Sequence, residues 1–89
     1  MLEQGRYIVI KSDHYELQDF KDEVVYYIHS DYNLADLQAL YDMGFVQIRE
    51  ATMREKELCF LSMEYTNERF GVYVKDLDKI EKFFKNNTA

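Results

Sequence analysis

Glu57-Leu58-Cys59-Phe60-Leu61-Ser62-Met63-Glu64-Tyr65 is the stretch on which the architecture turns. Cys59, Leu61, Met63 and Tyr65 alternate along it and make one wholly apolar face at a period of two, as a strand against a core requires. Its other face begins apolar at Leu58 and Phe60 and ends polar at Ser62 and Glu64, which suits a strand central in its sheet. Thr66, Asn67, Glu68 and Arg69 then turn the chain into 70–75, where Phe70, Val72 and Val74 share one side. Segments 57–65 and 70–75 are therefore expected to form a β-hairpin.

Before this pair, 45–50 alternates enough for a further strand, and the segment ahead of it reads as a helix. Asn33 is an expected N-cap, Leu34, Leu37, Leu40 and Tyr41 form an apolar stripe over 34–43, and Gly44 stands where a left-handed residue closes a helix. At the N-terminus, Arg6 to Lys11 is β-branched and aromatic between polar ends, the pattern of a strand. Residues 14 to 29 carry two patterns at once. Leu17, Phe20, Val24 and Ile28 recur at helical spacing behind Asp13 and Glu16, whereas Val24 to Ile28 has strong strand preference. The reading adopted is a helical turn over 14–21 followed by a strand over 23–29, antiparallel to the first strand if the two are neighbours. After 75, Asp76 is expected to cap a last helix whose Leu77, Ile80, Phe83 and Phe84 face the core, with Asp78–Lys82 and Glu81–Lys85 as i,i+4 pairs.

The expected fold is thus α+β: a small antiparallel sheet of four to five strands with two main helices on one face, in the order β-(α)-β-α-β-β-β-α. From 34 onward that order matches a double-stranded RNA-binding domain, but such domains open their last helix with a lysine cluster. This chain has Asp76, Leu77, Asp78 and Lys79 there, so no family is assigned.

With 89 residues, 47% apolar and 31% charged, the composition is that of one compact domain over 1–89, with 86–89 expected as a loose C-terminal tail. A chain of this size buries roughly 65% of its unfolded surface, enough for one modest core. The single cysteine, Cys59, cannot form an internal bridge, and no window approaches a membrane span, so a cytoplasmic location is expected.

Known site chemistries find little support. Gly5, Gly44 and Gly71 are too scattered for a phosphate loop. Cys59, His14 and His29 offer too few ligands for a structural zinc, and the run from Asp31 lacks the glycine a calcium loop needs at its sixth position, where Asp36 stands. His29, Ser30 and Asp31 alternate faces if extended and cannot form a triad. Asp19, Asp22 and Glu23 could share a helical face but read as solvated, and Cys59 reads as core rather than nucleophile. No catalytic residue, metal or cofactor is assigned, and the chain is read as non-enzymatic.

The net charge of −6 is unevenly placed. Residues 1–44 carry nine acids against three bases, and residues 45–89 carry eight against eight, so the whole excess lies in the first half. Such a field repels nucleic-acid phosphate and anionic membranes and attracts basic partners. Eight tyrosines exceed what so small a core can hide with their hydroxyls satisfied, and some stand among the acids. The expected partner-binding residues are Asp19, Asp22, Glu23, Tyr26, Asp31, Tyr32 and Asp36, acting on a basic protein. If that protein's basic surface holds nucleic acid, the chain would act as a phosphate-mimicking inhibitor or regulator, in the manner of small proteins from phages and mobile elements. The alternatives are a homodimer or other homo-oligomeric structural or small-ligand module paired through an exposed edge at 6–11 or 45–50, and nucleic-acid binding through Arg49, Arg54 and Lys56.

Overall fold

The computed structural model describes residues 2–67 and 71–87, and the side chains of 31–33 and 87 are outside that description. The fold is α+β, with a four-stranded antiparallel sheet and three helices. The chain runs β1 (Tyr7–Lys11), a 3-10 turn (Gln18–Phe20), β2 (Val24–Tyr27), α1 (Asp31–Asp42), β3 (Gln47–Glu50), α2 (Met53–Thr66), β4 (Val72–Tyr73), a second 3-10 turn (Val74–Asp76) and α3 (Leu77–Asn87). The strand order is β3-β1-β2-β4.

β1 is central because it is apolar on both sides. Ile8, Val9 and Ile10 are all essentially inaccessible to solvent. Successive side chains point to opposite faces of a strand, so Ile8 and Ile10 join Ile28, Leu37 and Val46 under α1. Val9 joins Val25, Leu58, Cys59, Met63, Val72 and Leu77 under α2 and α3. The sheet is therefore covered on both faces, by α1 on one and by the α2–α3 layer on the other. Each buried aliphatic side chain contributes about 1.5–3 kcal/mol of transfer free energy to this three-layer packing. Register follows from the same residues: Val9 lies opposite Val25 of β2 and opposite Arg49 of β3, and Val25 lies opposite Val72 of β4. Being central, β1 offers no free edge, which removes it from the expected pairing sites and leaves β3.

The strand expected over 57–65 is a helix. Its buried residues are Glu55, Leu58, Cys59, Ser62 and Met63, a three-and-four spacing that only a helical stripe produces. Thr52 and Glu55 form a capping box: the Glu55 N–H donates to Thr52 Oγ1 at 3.2 Å and the Thr52 N–H to Glu55 Oε1 at 2.8 Å. Asn67 closes the helix in the left-handed region at φ 58°, its N–H donating to the Met63 carbonyl. The apparent alternation fails because Tyr65 is 68% exposed and Leu61 lies at the surface. No hairpin with 70–75 can then form. That segment contributes only the two residues of β4, paired to β2, before Val74 begins a 3-10 turn. Phe70 lies outside the described residues.

α1 begins at Asp31, earlier than expected, since the Leu34 N–H bonds the Ser30 carbonyl and places Asn33 inside the first turn rather than at the cap. It ends as expected: Gly44 has φ 77°, and the Phe45 N–H donates to the Leu40 carbonyl, the six-to-one bond of a Schellman ending. Between β1 and β2 the helical turn is short, only Gln18–Phe20, and β2 is antiparallel to β1. α3 follows Asp76 and runs through Asn87, so 86 and 87 are helical. The carboxylates of Asp78 and Glu81 reach across to Arg54 of α2, at 2.7 and 3.3 Å, a partner that spacing along one helix could not reveal.

Candidate protein-interaction surface

The excess negative charge gathers on the side of the sheet that α1 covers. Ser12 builds this surface. Its buried hydroxyl donates to the Phe45 carbonyl at 2.5 Å and accepts from the His14 N–H at 3.1 Å, tying the loop after β1 to the turn after α1. The His14 ring packs on both Tyr15 and Phe45, with centroids 4.8 Å away in each case. The Glu16 N–H donates to His14 Nδ1 at 3.2 Å. A shallow cleft of about 160 Å³ opens between the two segments, with Asp13, Gly44 and Gln47 among its walls.

Apolar groups stand out from this region. Tyr15 is 74% exposed and Met43 59%, and Tyr41 and Phe45 are also at the surface. Asp13 and Glu16 flank Tyr15 in the chain, and Asp42 precedes Met43. Asp13, Glu16, Asp19, Asp36 and Asp42 are exposed and make no ion pair among the described residues; Asp42 accepts a hydrogen bond from Gln38 of its own helix. Lys11 and Lys21 lie close enough to Asp22 to act on its carboxyl.

The expected site residues divide into separate groups. Asp19, on the 3-10 turn, and Asp36, on α1, are exposed on the α1 side. Asp22 is held by Lys75 Nζ at 2.9 Å, and this hydrogen bond keeps its carboxyl below the usual aspartate range. Glu23 is 3.4 Å from Arg49 Nε. These two carboxylates are therefore matched within the fold. Tyr26 is half-buried against the α1-side cluster, whereas Tyr27 packs on the opposite one and meets Tyr7 at 4.9 Å between centroids. Asp31 and Tyr32 lie in the first turn of α1, and their side chains are outside the described residues.

The two arginines of the basic group considered for nucleic acid are matched as well. Arg49 is forked onto Glu55, Arg54 is bound by Asp78 and Glu81, and Lys56 stands 5.8 Å over the Tyr7 ring. Sequence reasoning missed Tyr15, Met43 and Phe45. The available signal was the turn at Gly44, which places the two residues beside it outside both the helix and the strand.

Cys59 lies under the sheet, and burial pushes its thiol up to about 11, where it is protonated at neutral pH. Among the described residues there is no group of three His, Cys, Asp or Glu side chains placed to hold a metal ion. None of the helices among them is long and apolar enough to cross a membrane. Comparison with known proteins returns no matching family model, curated protein or solved structure.

Proposed function

We propose that the chain is a small acidic, non-enzymatic binding domain that docks its α1 side on a basic surface of another protein. One observation carries this reading. Asp13, Glu16, Asp19, Asp36 and Asp42 remain outside ion pairs among the described residues, while Arg6, Arg49 and Arg54 are all engaged by carboxylates of the chain itself. Five unpaired carboxylates around exposed Tyr15, Met43 and Phe45 have the composition of a polar rim about an apolar centre. Relative to the seven residues expected from the sequence, the surface keeps Asp19 and Asp36, loses Asp22 and Glu23, and gains the loop at 13–16 and the turn at 41–45. Where the partner's basic surface normally takes nucleic acid, occupation by these carboxylates blocks it, and the domain acts as a competitor.

The test uses the immobilised protein and a cell lysate at about 0.05 M salt, with elution by a salt ramp. A basic protein is expected to be retained and released as salt rises. The triple variant D13K/E16K/D42K is expected to bind it at least about tenfold more weakly, because like charges then face each other. The variant E57K/E64K, altered on the opposite face, is expected to retain it. Equal retention by the wild type and the triple variant overturns the reading.

A further inference from the structure

The α2–α3 layer presents a second surface of different character. Tyr65 of α2 meets Phe83 of α3 edge-on at 5.1 Å between centroids, and Phe83 meets Phe84 at 5.2 Å in the same manner. Between the helices runs an open apolar groove of about 360 Å³, walled by Tyr65, Val72, Ile80 and Phe84, with Lys79 on its lining. Of the residues that line it, Tyr65 and Phe83 are exposed, Phe83 to 41%.

Charge on this layer is patterned rather than uniform. The buried stripe of α2 runs through Glu55, Leu58, Cys59, Ser62 and Met63, so Glu57, Phe60 and Glu64 fall on the opposite, outward side. On α3, Leu77 is buried and Ile80 packs on the core, which puts Lys79 and Lys82 outward. Asp78 and Glu81 are bound to Arg54 of α2, at 2.7 and 3.3 Å, and make no ion pair with those lysines among the described residues. Glu57, Glu64, Lys79 and Lys82 are exposed and make no ion pair among the described residues. One helix thus offers an acidic stripe and its neighbour a basic one, with aromatic rings between.

We propose that this layer is a self-complementary interface between two copies of the chain, α2 of each lying on α3 of the other. A two-fold axis presents every contact twice, so a patch that carries both signs matches itself. Glu57 and Glu64 of one copy then face Lys79 and Lys82 of its partner, and the Tyr65–Phe83 rings close the centre, as charged flanks and an apolar seam do in paired helices. The four charges cancel within the patch. The face that carries the net negative charge is on the other side of the sheet, where two docked copies keep it apart and leave it open. Because the same patch serves both copies, association stops at the dimer.

Sedimentation velocity on the full chain, from about 1 to about 300 µM at about 0.15 M salt, tests this. The wild type is expected to pass from monomer to dimer within that range. K79E/K82E and E57K/E64K are each expected to dimerise roughly a hundredfold more weakly, since both contacts become repulsive. An equimolar mixture of the two variants is expected to restore a dimer, because each basic stripe again meets an acidic one. Circular dichroism checks that these surface variants fold, and the fourfold swap in one chain replaces the mixture if one does not. A wild type that stays monomeric overturns the proposal and leaves the groove to a different partner. A dimer that both variants form as well as the wild type overturns it too, and moves the contact to the β3 edge.

Discussion

Arg49 and Glu55 meet as a two-pronged fork, Nη1 to Oε1 at 2.9 Å and Nη2 to Oε2 at 2.8 Å, with the glutamate carboxylate almost wholly buried and the arginine half-exposed. The same carboxylate accepts from the Thr52 N–H, so one side chain joins the edge strand β3 to the first turn of α2. Arg49 Nε also reaches Glu23 at 3.4 Å, ahead of β2. The edge strand and the helix start six residues on are thus tied to a segment 26 residues earlier.

Removing the arginine leaves a buried carboxylate held only by Thr52. Arg49→Ala is expected to cost about 2–3 kcal/mol, below the range for a fully buried pair because the guanidinium is half in water. Urea unfolding measures it, and a double-mutant cycle with Glu55→Gln isolates the pair.

The pair also gives the fold an acid limit. Arg49 holds Glu55 below the usual glutamate range, burial opposes this more weakly, and the Thr52 backbone bond adds to the lowering. A carboxyl whose folded value is depressed stabilises the fold above its unfolded value, about 4.3, and that contribution is lost as pH falls from there through the folded value. Stability measured from pH 7 to pH 3 is expected to drop in this window, and the drop is expected to be smaller in Glu55→Gln.

Replacing Thr52 with Ala removes the other half of the capping box. A loss of about 1 kcal/mol is expected in the same unfolding measurement.

Alanine substitution along α2 separates helix from strand. Leu58 and Met63 are buried, and truncating either is expected to cost about 2–5 kcal/mol. Leu61 and Tyr65, inward in a strand reading, are expected to cost well under half as much. Comparable losses at Leu61 and Leu58 would contradict the helical stripe.

Gly71 sits where β4 approaches β2 closely. A Cβ there would lie 2.7 Å from Val24 Cγ1 and 2.9 Å from the Val25 carbonyl oxygen, and the carbonyl belongs to a paired strand that cannot move aside. Gly71→Ala is expected to destabilise by about 1–3 kcal/mol in urea unfolding, whereas a neutral result would mean that β4 yields.

Much of the fold was legible because several segments state one period each. Arg6 to Lys11 reads as a strand and Tyr7–Lys11 is one, Leu34, Leu37 and Leu40 of the expected stripe pack in the core while its fourth member, Tyr41, is exposed, and Gly44 ends that helix. α2 was misread because its buried stripe contains Glu55 and Ser62. With polar residues inside and Phe60, Leu61 and Tyr65 outside, hydrophobicity along 57–65 follows a false period of two. The Thr52–Glu55 spacing was the local signal of a helix start. At the acidic surface the sequence located the charge but could not tell matched from unmatched carboxylates.

What the chain by itself determined is what one residue's neighbours decide: strand preference in β1 and β2, the ending at Gly44, the placing of all net charge before residue 45, and a lone thiol set among apolar residues. Tertiary structure alone decided that Asp22 belongs to Lys75 and Glu23 to Arg49, that β1 is central, and that α1 and the α2–α3 layer take opposite faces. The physical reason is distance. Propensity, capping and charge sums act within a few residues, whereas an ion pair or a sheet edge depends on which segments, 26 to 53 residues apart here, are folded into contact.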